Sequence, residues 1–108
     1  MAELTSKQRA YLRSLAHSLK PILQIGKEGV TEQVVASITD AFHNRELLKV
    51  KVLESAPLDA REASGEVAGQ IEGAHVVQVI GRTVALYRRH PENPEISLPS
   101  GGSQESDR

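Results

Sequence analysis

Residues 22–31, Ile-Leu-Gln-Ile-Gly-Lys-Glu-Gly-Val-Thr, pass from a short apolar strand through a Gly-x-x-Gly turn to the expected start of a helix at Thr31. Gly26 and Gly29 let a bulky ligand approach the backbone, because neither carries a Cβ. The first N–H groups of the helix and the positive end of its dipole favour an anion there, and Lys27 adds a charge at the tip. A phosphate suits this arrangement. The alternative is a tight strand-to-helix turn with no ligand.

The composition is that of one small globular domain. Of 108 residues, 39% are hydrophobic and 25% are charged, and none is cysteine, which excludes disulfides, cysteine zinc sites and thiol catalysis. No apolar run is long enough to span a membrane, and no signal-peptide pattern opens the chain. We therefore expect a soluble cytoplasmic protein without membrane contact.

Charge is unevenly distributed along the chain, although the net charge is only −1. Residues 1–90 carry 12 basic and 10 acidic side chains, whereas residues 91–108 carry one basic and four acidic side chains. The first part is weakly basic, and what this means for a partner depends on whether its charges share one face. After Pro91 the chain is rich in proline, serine, glycine and glutamate. We expect a domain over residues 1–99 and a disordered tail over residues 100–108.

Capping residues and hydrophobic spacing predict the secondary structure. The predicted helices are 6–18, Thr31 to about Asn44, and 60–72 with Gly73 as terminator. The predicted strands are 22–25, 47–53, 75–80 and 83–88. The order αβαβαββ indicates an α+β domain in which three helices pack on a four-stranded mixed sheet, with parallel pairing across helices and an antiparallel last pair. One register puts five residues on the less apolar side of the sheet: Gln24, Lys49, Lys51, Gln78 and Tyr87.

Three segments form a set whose order and spacing are specific, although each alone is a weak signal. They are Leu4-Thr5-Ser6-Lys7-Gln8-Arg9 with Leu12-Arg13 and Ala16-His17, then Gly26-Lys27-Glu28-Gly29-Val30-Thr31, and last Val77-Gln78-Val79-Ile80-Gly81-Arg82-Thr83 with Leu86-Tyr87-Arg88 and Ile96-Ser97-Leu98-Pro99. The first segment begins at residue 4 and the last ends at residue 99. On these residues the chain resembles the CRM domain (chloroplast RNA splicing and ribosome maturation), specifically its free-standing bacterial members of the YhbY type.

The resemblance implies an RNA-binding domain rather than an enzyme. It implies a fold similar to the C-terminal domain of bacterial translation initiation factor three, and an association with precursors of the large ribosomal subunit. The expected partner is RNA, namely ribosomal RNA of those precursors. We expect a monomer without cofactor, metal or small-molecule substrate.

The resemblance also implies which residues contact RNA. Its Gly-x-x-Gly loop corresponds here to Gly26, Lys27, Glu28 and Gly29, followed by Thr31, and modules of the KH type clamp a nucleotide backbone with such a loop. Its basic surface corresponds to Lys7, Arg9, Arg13, Lys20, Lys49, Lys51, Arg82 and Arg88. On this model Gly29→Asp weakens RNA binding without unfolding the domain, and Lys27→Ala lowers the salt dependence of binding by one contact.

Some alternatives stay open. Glu28 could point to solvent, pair with Lys27 or weaken the contact of the loop with RNA. The basic side chains could equally be an ordinary solvated surface. The four histidines lack metal-site spacing, and no set of residues forms a catalytic group. The competing hypothesis is a protein–protein adaptor that docks on ribosomal or translation proteins through the exposed sheet.

Overall fold

Residues 4–99 form three helices and four strands in the predicted order αβαβαββ. The computed structural model describes residues 4–99, and the predicted tail over residues 100–108 lies outside them. The elements are α1 Ser6–Ala16, β1 Leu23–Ile25, α2 Glu32–Ala41, β2 Leu47–Val52, α3 Ala60–Gln70, β3 Ala74–Ile80 and β4 Thr83–Arg88. The predicted α+β fold class, with one four-stranded mixed sheet, is confirmed.

The strand order in the sheet is β1-β2-β4-β3. β1 and β2 are parallel, whereas β4 is antiparallel to both β2 and β3. β2 and β3 therefore run in the same direction but are separated by β4. The prediction of parallel pairing across each helix is wrong for this pair, because the hairpin partner β4 takes the place next to β2.

The helix starts follow the capping residues in the sequence. Thr5 Oγ1 accepts the N–H of Gln8 at 3.0 Å, and the N–H of Thr5 donates to Gln8 Oε1 at 3.1 Å. Asp59 and Glu62 form the same reciprocal pair before α3, at 2.8 and 3.0 Å. Each pair satisfies two N–H groups that a helix start leaves without a partner inside the helix.

The helix ends come earlier than predicted. α1 ends at Ala16 and α2 at Ala41 rather than at residue 18 and near Asn44. α3 ends at Gln70, because Ile71 turns to an extended backbone and becomes buried. Gly73 has a positive φ of 83°, but it serves the turn into β3 and does not terminate α3 as predicted.

Apolar side chains pack on both faces of the sheet. α2 and α3 cover one face, in a cluster that includes Ile25, Phe42, Val50, Val67 and Leu86. The opposite face has a smaller cluster: Leu4, Leu12, Ala16, Leu47, Val77, Ala85 and Tyr87, with Leu15, Ile96 and Leu98 packed against it. α1 thus covers only part of its face of the sheet.

The strand register tests the predicted polar face. Gln24 in β1 is opposite Lys51 in β2, and Lys49 in β2 and Gln78 in β3 are both opposite Ala85 in β4, which lies between those two strands. Residues that are opposite each other, or two apart on one strand, share a face of the sheet. These side chains therefore lie on the face against which α1 packs, which we call the α1 face. Tyr87 lies on the same face but is only 1% exposed, since it belongs to the cluster beneath α1. The α1 face is therefore apolar where the helix covers it and polar where the sheet is open.

Candidate nucleic-acid interface

The Gly-x-x-Gly loop is a tight turn at the end of β1. The N–H of Gly29 donates to the carbonyl of Gly26 at 2.9 Å, which closes the turn. Lys27 and Glu28 occupy its tip and are both exposed. The loop therefore presents one cation and one anion side by side to an approaching polyanion.

The two glycines of the loop have different roles. Gly29 is buried with a φ of 77°, and a Cβ there would stand 3.2 Å from Pro57 Cγ. Gly26 has no positive φ, and its Cβ would make an ordinary 3.7 Å contact with Leu53 Cδ1. The backbone thus favours glycine at position 29, so Gly29→Asp is expected to strain the fold in addition to any effect on RNA binding.

Groups of the chain itself already interact with the N–H groups and the dipole at the start of α2. Thr31 has an extended backbone, and its Oγ1 accepts the N–H of Val34 at 3.1 Å. Glu32 places a carboxylate in the first turn, next to the positive end of the helix dipole. The helix start is therefore a weaker anion site than the sequence alone suggested, and Thr31 is foremost a capping residue.

A cleft of about 540 Å³ lies beside the loop, between β1 and α2. Its lining is Leu23, Gln24, Gly26, Lys27, Glu28, Gly29, Thr31, Gln33, Val34 and Ser37. We call it the β1–α2 cleft. Gln33 and Ser37 were not among the predicted site residues. Their only signal in the sequence is that they are polar and four residues apart on α2, so that they share one side of the helix.

Basic side chains gather on the open half of the α1 face. Lys49 Nζ donates to the carbonyl of Leu19 at 3.1 Å, next to the exposed Lys20. Lys51 is exposed on the same strand face as Lys49 and is opposite Thr83. The open surface beside Lys49 contains a shallow hollow of about 190 Å³, lined by Pro21, Lys49, Gln78, Ile80, Thr83 and Ala85.

One flank of α1 borders this open half. Gln8 Nε2 donates to the carbonyl of Pro99 at 3.1 Å, so the Gln8 side of the helix faces the C-terminal segment. Arg9 and Arg13 share the other side, and the Arg9 guanidinium donates to the carbonyl of Val76 in β3. These two arginines therefore lie at the edge of the open sheet.

Arg82 extends the same surface toward the loop. It lies in the exposed turn between β3 and β4, where its Nη2 is 3.5 Å from Glu54 Oε2. An exposed ion pair of this length stabilises little, so the guanidinium can exchange Glu54 for another anion. We call the resulting surface the basic face; its basic residues are Arg9, Arg13, Lys20, Lys49, Lys51 and Arg82.

Two predicted site residues lie elsewhere. Lys7 is exposed on the outer side of α1, away from the sheet. Arg88 follows Tyr87 in β4 and so points to the face of α2 and α3, where its Nε donates to the carbonyl of Glu72 at 3.1 Å. Arg88 therefore does not share a surface with Lys49.

The loop and the basic face meet at one end of the sheet. Lys27 comes two residues after Ile25, at the end of β1. Ile25 is opposite Val52, which follows Lys51 in β2. The N–H of Val52 donates to the carbonyl of Arg82 at 2.7 Å, which holds the β3–β4 turn at that end. The structure thus brings Lys27, Lys51 and Arg82 to one rim.

Charge differs between the two faces of the sheet. α1 carries three basic side chains and no acidic one. On the other face, α2, α3 and the cap Asp59 carry five acidic side chains and one basic side chain, Arg61, and β4 adds Arg88. A net charge near zero therefore conceals a basic α1 face and an acidic opposite face, a separation that steers a polyanion to one side.

A second feature that the sequence analysis missed is the buried carboxylate of Glu46, which is 4% exposed. It accepts the N–H groups of His90, Glu95 and Ile96 at 2.7 to 2.8 Å. Burial raises its pKa, but these N–H groups and the charge of His90 together leave the pKa below its ordinary value. Glu46 thus fastens the C-terminal segment, which covers α1, and takes no part in the basic face.

Among residues 4–99, no group of histidine, aspartate and glutamate side chains is arranged to hold a metal ion. None of the helices in that range combines the length and hydropathy needed to cross a bilayer. The candidate site consists of the loop, the β1–α2 cleft and the basic face.

The chain is similar to known proteins over most of its length. Residues 4–88 match the CRS1 / YhbY (CRM) domain. "Probable RNA-binding protein YqeI" of Bacillus subtilis is 42% identical over 96 residues, which cover 89% of this chain and 99% of that protein. An "RNA-binding protein" of Haemophilus influenzae is 36% identical over 99 residues, which cover 92% and 98%. The solution structure of SAV1595 from Staphylococcus aureus has 45% identity and a TM-score of 0.76, and covers 90% of this chain and 100% of that one.

Proposed function

The chain belongs to the CRS1 / YhbY (CRM) domain family, and on this premise we propose that it binds structured ribosomal RNA and assists assembly of the large ribosomal subunit. The loop and the basic face carry the binding, and the protein acts as a cytoplasmic monomer. The choice of ribosomal RNA rests on the resemblance of residues 4–99 to free-standing bacterial members of the family. The relatives in Bacillus subtilis and Haemophilus influenzae, named as RNA-binding proteins, support RNA as the partner.

The separation of charge between the two sheet faces is the observation that carries the proposal. Six basic residues border one open surface, while the acidic side chains of α2 and α3 lie behind it. A polyanion is attracted to the first face and repelled by the second, so the protein docks in one orientation. The loop then lies against the phosphodiester backbone, with Lys27 as its cation.

Recognition is expected to depend on the RNA backbone and shape. The chain has three aromatic residues, and two of them, Phe42 and Tyr87, are buried. It therefore lacks the exposed aromatic platform on which many single-strand binders stack successive bases. Phosphate contacts dominate the affinity, so binding falls steeply as salt rises.

The partner is tested by sucrose-gradient fractionation followed by sequencing of crosslinked RNA. We expect the protein to sediment with immature large subunits and its crosslinks to map to large-subunit ribosomal RNA. A matched pair of variants links this outcome to the basic face: Lys51→Glu reverses a charge there, and Arg61→Glu reverses one on the acidic face. We expect only Lys51→Glu to release the protein from the particles.

A protein–protein adaptor is the second candidate, and one observation favours it. Ile80 is 63% exposed and Ile22 is 42% exposed on the open α1 face, so the basic face also has apolar area for a protein partner. Nuclease treatment separates the two functions. Particle association that survives complete RNA digestion supports the adaptor, and loss of association supports RNA binding.

A further inference from the structure

The β1–α2 cleft has an apolar floor and a polar rim. Leu23 and Val34 line it and are half-buried. Gln33 and Ser37 are exposed, and they lie four residues apart on the side of α2 that faces β1. Gln33 can both donate and accept hydrogen bonds through one amide, as the edge of a nucleobase does. A flat apolar ring with a polar edge fits such a lining.

The open edge of the sheet adds backbone groups to the same cleft. β1 is the outermost strand, and its Ile25 carbonyl accepts the N–H of Leu53 from the β2 side. Successive residues of a strand direct their backbone groups to opposite edges, so the N–H and C=O of Gln24 point outward. The cleft therefore receives one donor and one acceptor in fixed positions, in addition to the side chains of α2.

We propose that the β1–α2 cleft holds one unpaired base of the RNA whose phosphates lie along the loop. The inference rests on the proposed function and deepens it: the loop and the basic face supply affinity, and the cleft supplies base selectivity. Lys27 lines the mouth of the cleft, so a nucleotide can place its phosphate at the loop and its base between β1 and α2. A base within a duplex cannot enter, because it is stacked and paired.

The geometry favours a base over a peptide strand. A peptide that extends a sheet gains its affinity from a row of main-chain hydrogen bonds. β1 has three residues, Leu23–Ile25, of which only Gln24 directs its backbone outward. The N–H and C=O of one residue can pair with the edge of a single base, but they cannot form the row of main-chain hydrogen bonds that an added peptide strand needs. An RNA base is therefore the occupant of the cleft in this proposal.

The test measures the affinity of the full chain for octamers of oligo(U), oligo(A) and oligo(C) by fluorescence anisotropy. We expect the wild type to bind the three RNAs with different affinities. In the double variant Gln33→Ala, Ser37→Ala, the ratio between the strongest and the weakest affinity should fall about tenfold, which is the value of one good hydrogen-bonded base contact. Gln70→Ala, an exposed glutamine on α3, is the matched control and leaves the preference unchanged. Thermal melting of each variant checks that the domain remains folded.

Other outcomes separate this inference from the proposed function. Lys27→Ala is expected to weaken all three RNAs by the same factor, since a phosphate contact carries no base information. A double variant that keeps both the affinity and the preference of the wild type overturns the cleft as a base site, while weakening by Lys27→Ala still supports RNA binding. If the wild type binds all three octamers and duplex RNA equally well, the cleft inference is likewise overturned. If it binds none of these RNAs, the cleft inference is overturned, whereas the proposed function is decided separately by binding to a structured fragment of precursor ribosomal RNA.

Discussion

Gly29 adopts a left-handed backbone against the ring of Pro57, where a Cβ would stand 3.2 Å from Pro57 Cγ. We predict that Gly29→Ala destabilises the domain by about 1–3 kcal/mol, the usual cost of a strained backbone of this kind. Gly26→Ala, in the same loop, is expected to cost less, because its Cβ would make only an ordinary contact with Leu53. Urea unfolding of the two variants measures the difference, and equal midpoints would contradict this role for Gly29.

Lys27 supplies the cation at the loop tip. We predict that Lys27→Ala lowers the slope of log affinity against log salt concentration by about 0.7–0.9, the value of one phosphate contact. The slope is measured with a fragment of precursor ribosomal RNA between low and physiological salt. Arg61→Ala removes an exposed cation from α3 and is the control, with an unchanged slope. An identical slope in both variants would remove Lys27 from the interface.

Glu28 lies next to Lys27 at the loop tip, so its negative charge would repel an RNA phosphate backbone that contacts the loop. We predict that Glu28→Gln strengthens RNA binding, because two exposed like charges a few ångströms apart repel by about 1 kcal/mol in water. The gain should shrink as salt rises, since exposed charges are screened. Affinity measured at two salt concentrations checks both points. Weaker binding of the variant would indicate that the Glu28 carboxylate itself contacts the RNA.

Lys51 and Arg88 lie on opposite faces of the sheet, although both were predicted to bind RNA. We predict that Lys51→Ala weakens binding and lowers the salt slope by about one contact, whereas Arg88→Ala leaves RNA binding unchanged. Arg88 instead donates to the carbonyl of Glu72, so its removal is expected to lower stability. RNA titration and urea unfolding of both variants separate the two effects. Equal losses of affinity would show that RNA does not distinguish the faces.

Glu46 makes stability depend on pH. The folded-state pKa of the Glu46 carboxyl is below its ordinary value. The ionised carboxylate therefore stabilises the fold fully at a pH above that ordinary pKa, and this contribution is lost as the pH falls through the folded-state pKa. Glu46→Gln leaves at least one N–H without its acceptor, at a cost of about 1–3 kcal/mol at neutral pH. Urea unfolding at neutral and acidic pH should show the difference from wild type narrowing in acid. Glu66→Gln, exposed on α3, is the control, and a pH-independent difference would contradict the role of Glu46.

Features set by neighbouring residues were predictable from the sequence. The Thr5–Gln8 and Asp59–Glu62 pairs span three residues, and the β3–β4 hairpin closes across two, so local chemistry determines them. The loop position and the polar character of the open α1 face also followed from sequence spacing.

Features that depend on distant partners could not be predicted in this way. The hydrogen bonds of Glu46 join residues 44 to 50 positions apart, and Pro57 meets Gly29 only in the folded chain. The placement of β4 beside β2 and the burial of Tyr87 under α1 likewise depend on how the elements pack. The same holds for the separation of Arg88 from Lys49.

The most direct test of the central claim maps RNA–protein crosslinks on this chain in immature large-subunit particles by mass spectrometry. The account predicts crosslinked peptides that contain the loop at residues 26–29 and Lys49 or Lys51 of the basic face. Crosslinks confined to α3 and the acidic face, with none at the loop or the basic face, would contradict it.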